Sequence, residues 1–269
     1  MPDKLHRPAV YPIADELLPE GEIREGRYDA RFARSPEELD AIQKLRFEVF
    51  NLELGEGLEA SFETRRDRDE FDPFCHHLMV NDLRSGEVVG TYRMQTSAMA
   101  AAGRGFYSST LFDLGRLPGA VARDAVELGR ACIALEHRNT QVLFLLWKGL
   151  ARYMASSQRR YLFGCCSLTS QDPALGRAVM RFLAERGHLH PELRVSPQPG
   201  FGCSPANPGA PEPVPEQPIK LPKLFRIYLR HGAKVCGPPA IDRQFKTIDY
   251  LVVFDVATMS ERQFRTFFG

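Results

Sequence analysis

The sequence predicts an α/β (α+β) fold, a mixed and mostly antiparallel twisted sheet with helices on both faces. Three observations predict it. Short apolar runs at 28–34, 77–83 and 87–96 come first, the last two joined by Arg84-Ser85-Gly86, a plausible hairpin turn. A strand–helix–strand unit follows at 125–134, 141–157 and 161–168. A further helix at 173–186 and a late strand at 247–256 complete the order expected of a mixed sheet.

Taken in order, residues 1–27 are charged and proline-containing and are expected to form an extended N-terminal arm, with 28–269 a single domain. Ser35 is an N-cap candidate, Pro36 takes the first helical position and Glu38 the capping-box position. Leu39, Ile42, Leu45, Val49 and Leu52 then recur at helical spacing, flanked by Arg46 and Phe50. Residues 53–73 alternate acidic and basic side chains and read as a loop carrying Asp67, Asp69 and Asp72. The Gly-, Ala- and Ser-rich stretch 97–120 predicts a short helix around Leu111 and Phe112. Residues 191–222 hold ten prolines and read as a stiff excursion rather than a domain.

Composition narrows the function classes. The chain has 269 residues, 43% hydrophobic and 26% charged, in the range of soluble globular proteins. A net charge of +1 gives no global field for nucleic acid, so no nucleic-acid partner is expected. No apolar run approaches the roughly 20 residues of a membrane span. The first twenty residues lack a signal-like apolar core, and Cys75, Cys132, Cys165, Cys166, Cys203 and Cys236 show no CxxC spacing. Reduced thiols in a cytoplasmic protein are expected. Cys75-His76-His77 alternates faces on a strand with no further ligands at matching spacing, so no metal is expected.

One stretch breaks its own pattern. Glu127 and Arg130 stand three apart in an apolar strand, where a regular backbone sends them to opposite faces. One charge would then be buried unpaired, at a cost of several kcal/mol. The strand is therefore expected to be irregular, with Gly129 the easiest place for a bulge that lets both charges share a face. A structural ion pair under a loop is the plainer alternative.

Arg46 on the first helix, the paired aspartates, VVGTYR ending at Arg93, and Glu127-Leu128-Gly129-Arg130 occur in an order that resembles the N-acyltransferase branch of the GNAT superfamily. That branch includes acyl-homoserine-lactone synthases and ornithine N-acyltransferases. FDPFCHHLMV, ELGRACI, LLWKGLARY and YLRHGA…DRQFKTIDYLVV look most like ornithine–acyl-carrier-protein N-acyltransferases. Three features depart from the lactone synthases: Gly129 replaces the serine of their ELSR, the tryptophan usual soon after the first helix is missing, Trp147 being the only one, and the chain is longer. The resemblance implies a splayed parallel strand pair that takes up a pantetheine arm, with backbone N–H donors from a bulge.

It further implies an acyl carrier protein as donor, through its phosphopantetheine arm, and no bound cofactor. The segment 136–141 lacks the glycines with which relatives using free coenzyme A hold pyrophosphate. From His137 to Gln171 there is no acidic residue, while Arg138, Lys148, Arg152, Arg159 and Arg160 are present, a local patch for an acidic carrier or simply a solvated helix face. Gly129, Ala131, Cys132, Ile133, Arg138, Asn139, Lys148 and Arg152 are the expected pantetheine- and carrier-binding positions. On the acceptor side, Arg46 and Arg93 are candidates for a carboxylate, together with Arg130. Asp69 and Asp72, assisted by Asp67, are candidates for ammonium groups or a proton path, the alternative being a solvated turn. Glu127 is the first choice for orienting or deprotonating the amine. Phe47, Phe50, Phe74 and Phe112 could line an acyl tunnel or serve as ordinary core.

The residues themselves point to thioester-to-amine transfer, and the resemblance implies its substrates: a 3-hydroxyacyl chain moved to the α-amine of ornithine, giving a lyso-ornithine lipid, by a cytoplasmic protein with a peripheral contact on the inner membrane face. Another amino-acid acceptor, or S-adenosylmethionine for a lactone signal, keeps the same fold. A carrier-binding protein without turnover is the reading from a different class.

Overall fold

The computed structural model describes residues 11–204 and 218–262. The first ten residues of the expected arm and residues 205–217 of the proline-rich segment lie outside the described residues. Nine described strands share one sheet: β1 (Ile23–Glu25), β2 (Tyr28–Phe32), β3 (His76–Asp82), β4 (Val88–Thr96), β5 (Ala125–Ile133), β6 (Tyr161–Leu168), β7 (Lys234–Val235), β8 (Ala240–Asp242) and β9 (Thr247–Asp255). Their spatial order is β1-β2-β3-β4-β5-β6-β9-β7, with β8 also paired to β9. Every pair is antiparallel except β5 with β6. The helices are α1 (Pro36–Arg46), α2 (Ser61–Thr64), α3 (Ser97–Ala102), α4 (Gly119–Arg123), α5 (Thr140–Ser157), α6 (Pro173–Glu185) and α7 (Lys223–Arg230).

Alternation along the strands sorts the core into two faces. Leu78, Val80, Tyr92, Met94 and Val126 pack with Val142, Leu145, Leu146 and Tyr153 of α5. Cys166, Leu168, Ile248, Tyr250 and Val252 continue that face against α6 and α7. The opposite face carries α1, with Leu45 and Val49 against Cys132. Further along it, Phe163, Leu251 and Val253 pack under the 106–121 segment together with Leu193 and Val195.

Helix α1 begins as its sequence demands, with Ser35 Oγ accepting from Glu38 N–H at 3.3 Å. Its continuation is not a single helix. The turn widens over Phe47–Glu53, where Leu54 N–H bonds Val49 O, five residues back. Three expectations are corrected. Residues 11–27 do not stand off as an arm: Ile23–Glu25 pairs with β2, and Leu18 is buried in the α5-side core. The 97–120 stretch helps form its structure around Ser97–Ala102 and a single turn at Tyr107–Thr110, with Leu111 and Phe112 following that turn. The described part of the proline-rich segment lies against the domain, where Val195 N–H bonds Cys236 O at 2.7 Å.

Cys75-His76-His77 is structural. His76 donates from Nε2 to Ile13 O at 2.6 Å and its Nδ1 accepts from Tyr153 Oη at 2.8 Å, while burial lowers its pKa to about 4. No cluster able to hold a metal occurs among the described residues.

Candidate active site

The parallel pair is short and then opens. Ala125, Val126 and Glu127 pair with Tyr161, Leu162 and Phe163, after which β5 runs on to Ile133 and β6 to Leu168 without pairing to each other. Two features open it. Between Thr91–Cys132 and Arg93–Gly129, two steps on β4 face three on β5, so β5 carries one extra residue. Arg130 takes the left-handed conformation there, with φ 50°. On the other strand, a Cβ at Gly164 would sit 2.2 Å from Leu128 O, so only glycine lets the strands touch before they part.

The bulge settles the facing of the two charges. Val126, Leu128, Ala131 and Ile133 pack on the α5 side. Cys132 packs on the α1 side, and both Glu127 and Arg130 meet Tyr107. The expected bulge is present, but its left-handed residue is Arg130 rather than Gly129. Arg130 is fixed from both sides: its guanidinium lies 3.6 Å from the Phe245 ring centroid, and Nη2 donates to Asp69 Oδ2 at 3.2 Å.

A cavity of about 410 Å³ runs through the sheet at the divergence. Its α5-side wall is apolar, formed by Trp147, Leu150, Ala151, Met154, Phe225 and Tyr228 together with Leu128 and Leu162. Its other wall is polar: Glu56, Arg93, Gln95, Tyr107, Glu127, Arg130, Asp242 and Asp249, with Phe50 and Phe245.

Glu127 stands at the last paired rung and is buried. Its carboxylate accepts from Tyr107 N–H at 2.8 Å and Ser108 N–H at 2.7 Å, which holds the Tyr107–Thr110 turn over the cavity. Burial raises its pKa against the pull of those donors and of Arg93. The Tyr107 hydroxyl in turn donates to Asp242.

Beneath the polar wall lies a closed ion network. Arg46 is fully buried and donates to Asp72 Oδ1 at 2.8 Å and Asp67 Oδ1 at 2.6 Å. Arg93 Nη1 reaches both Asp69 oxygens, at 2.6 and 2.7 Å, and Asp72 Oδ1 at 2.8 Å. Burial alone would raise the Asp72 carboxyl, but Arg46, His77 and Arg93 hold it well below the usual range. Asp69 is lowered in the same way, burial being outweighed mainly by Arg93.

These placements reassign several predicted residues. Arg46, Asp67, Asp69 and Asp72 come together in one network that does not line the cavity and that holds Arg93 and Arg130. Phe112 packs in a core with Leu111 and Leu117 and does not line the cavity, whereas Phe50 lines it. Gly129 and Ala131 line it; Cys132 and Ile133 do not. Arg138 is bound to both Glu53 carboxylate oxygens at 2.6 and 2.7 Å. Asn139 caps α5 through Val142 N–H at 3.0 Å. Lys148 lies 4.6 Å from the Phe144 ring centroid, Arg152 is exposed, and neither lines the cavity.

Sequence reasoning missed several cavity residues, among them Glu56, Tyr107, Asp242 and Asp249. Asp249 is 2% exposed, accepts from Thr247 Oγ1 at 3.2 Å, and is held up to about 7 by burial first, with Asp242 and Glu56 adding to it. The signal that exposed Glu127, a charge inside an apolar strand, was present in TIDYLVVFD as well.

The family model described as acetyltransferase (GNAT) domain matches residues 45–148. An L-ornithine N(alpha)-acyltransferase of Brucella abortus is 32% identical over 257 residues, covering 89% of this chain and 88% of the relative. One from Rhodobacter capsulatus is 34% identical, covering 87% and 92%. Among solved structures, the AHL synthase LasI aligns at a TM-score of 0.48 and 12% identity over 91% of this chain and 97% of its own. FeeM, an N-acyl amino acid synthase from uncultured soil microbes, aligns at 0.49 and 11%, covering 86% and 92%. With four such relatives at 30–34% identity along most of its length, the chain belongs to the GNAT acyltransferase family of the curated L-ornithine N(alpha)-acyltransferases.

Proposed function

We propose that the protein moves a 3-hydroxyacyl chain from the phosphopantetheine arm of acyl carrier protein to the α-amine of ornithine, giving a lyso-ornithine lipid. The observation that carries this reading is the cavity through the sheet, apolar on the α5 side and charged on the other. An acyl chain suits the first wall and an amino acid the second, with the thioester between them where β5 and β6 part. The relatives' shared name supplies the acceptor.

The chemistry needs a neutral amine, a group to take its proton, and donors for the oxyanion. The amine nitrogen attacks the thioester carbonyl, the tetrahedral intermediate collapses, the C–S bond breaks and the pantetheine sulfur leaves as a thiol. The extra residue of the β5 bulge stands outside the ladder, which frees backbone N–H groups for the oxyanion. Glu127, at the last paired rung, takes the amine proton directly or through water. Its raised proton affinity suits that step, and each oxygen keeps a lone pair beyond the one it gives to the 107–108 backbone.

Support for a carrier protein comes from the α5 entrance. Asn139 caps that helix, and the preceding turn holds no glycine for a close-fitting pyrophosphate. Lys148 and Arg152 follow on its outer surface for an acidic partner. No described helix is long and apolar enough to cross a membrane, and a lipid product calls for a peripheral contact with the inner face, where a cytoplasmic enzyme would release it.

The test is purified protein with 3-hydroxyacyl-loaded carrier protein and a panel of acceptors including ornithine, lysine and S-adenosylmethionine, read by mass spectrometry. An amide of ornithine alone is expected. A lactone, or another amino acid acylated in its place, would refute the acceptor. Glu127→Gln is expected to reduce kcat about 100-fold or more, the ordinary contribution of a positioned base. Full turnover by that variant would remove Glu127 from proton transfer.

A further inference from the structure

The polar wall and the network beneath it hold two sets of acidic side chains with different partners. Asp67, Asp69 and Asp72 are met by Arg46, Arg93 and Arg130. Asp249, Asp242 and Glu56 have no cation within ion-pair distance among the described residues, although Asp249 and Asp242 are buried and all three line the cavity. Their contacts are neutral: hydroxyls from Thr247 and Ser167 on Asp249, Tyr107 Oη and two backbone N–H groups on Asp242, and Thr169 on Glu56. A buried carboxylate without a counter-charge is costly, and a cation entering the cavity removes that cost.

A separate observation is an acceptor on the same wall that has no donor. Gln95, paired with Glu127 across the β4–β5 ladder, lines the same cavity and is 1% exposed. Its Nε2 donates to Phe74 O, while its Oε1 has no hydrogen-bond partner. Arg130 supplies the complementary feature, a guanidinium at the cavity wall. The wall thus offers the guanidiniums of Arg93 and Arg130 beside carboxyl groups that no cation of the described residues meets, the complement of a zwitterion carrying an extra ammonium.

We propose that Asp249, with Asp242 beside it, is the subsite for the acceptor's side-chain ammonium and selects a diamino acid over its neutral analogues. The proposal rests on the ornithine reading above and deepens it. Asp249 stands opposite Ser167 on β6, four residues beyond the Phe163 rung that Glu127 occupies. Four strand residues span about 13 Å, room for a thioester carbonyl and a five-carbon amino acid in series. Asp242 falls on the same side of the sheet because Tyr107 bridges it to Glu127, by hydroxyl to one and by backbone N–H to the other. The α-carboxylate then lies against Arg130, with the α-amine toward the divergence.

The experiment measures acyl transfer by wild type, Asp249→Asn and Asp242→Asn to ornithine and to norvaline, which has the same carbon chain without the side-chain ammonium. Wild type is expected to favour ornithine at least about 100-fold in kcat/KM, since an unfilled polar subsite rejects the apolar analogue. In Asp249→Asn, the KM for ornithine should rise about 100-fold with kcat within a few-fold and norvaline unharmed, so that the preference collapses. Asp242→Asn should move the same way by a smaller factor, and it carries the same readout should the first variant fail to fold. A folded variant that keeps the ornithine preference overturns the subsite. Equal losses on both acceptors also overturn it, by assigning Asp249 to the chemistry. Failure of wild type to acylate ornithine refutes the ornithine reading itself, a result distinct from either.

Discussion

Asp249 should weaken the fold it belongs to, and the effect should depend on pH. Its carboxyl is held up to about 7 from an ordinary 3.8, by burial first and then by Asp242 and Glu56, while Ser167 and Thr247 hydroxyls oppose the shift. A carboxyl whose pKa is raised on folding binds its proton more tightly in the native state. Stability is therefore unaffected below the unfolded pKa and falls as pH rises toward the folded one. The loss is about 1.36 kcal/mol per pKa unit, so roughly 4 kcal/mol by pH 8 and a little under 2 kcal/mol at pH 5. Asp249→Asn cannot ionise, and both neighbouring hydroxyls can rotate to suit an amide. Urea unfolding of wild type and variant at pH 5, 6.5 and 8 should show the variant gaining stability, with a gain at pH 8 more than twice that at pH 5. A gain that ignores pH, or a loss at pH 8, would refute the claim that this carboxylate is buried without a counter-charge.

Two further predictions concern the framework. Arg46→Met removes the cation shared by Asp67 and Asp72 and should cost about 3–5 kcal/mol by urea unfolding, as for any broken buried pair; a cost below about 1 kcal/mol would show the network to be dispensable. Gly164→Ala places a methyl 2.2 Å from Leu128 O and must push β6 from β5 where the cavity begins. It should destabilise by about 1–3 kcal/mol and lower kcat/KM at least about 10-fold, and an unaffected variant would mean that the strand contact does not shape the site.

How far the sequence spoke depended on whether the deciding interaction was local. Ser35, Pro36 and Glu38 announce α1 because a helix start is settled within four residues. Glu127 and Arg130 announced the bulge because two charges three apart conflict with the period of a strand. Which residue turns left-handed was not legible. Conformational freedom favours Gly129, yet Arg130 takes the position because Asp69 and Phe245, 61 and 115 residues away, hold its side chain. Phe50 and Phe112 show the same limit: both fit an apolar stripe, and only the sheet decides that one lines the cavity while the other fills a core.

The aspartates carry that lesson to the chemistry. In sequence, Asp69 and Asp72 looked like acceptor ligands because they are clustered and sit in a loop, while Asp249 was lost inside an apolar strand. Folding inverts the two. The loop aspartates find arginines from α1, β4 and β5, so their charge is spent on holding Arg93 and Arg130 in place. Asp249 finds only hydroxyls and other acids, so its charge is left facing the cavity. A carboxylate already neutralised by the protein has little to offer an ammonium, whereas one held against its own solvation gains from meeting it. On the proposed reading, the acidic residue that least helps the fold is thus the one placed to choose the acceptor.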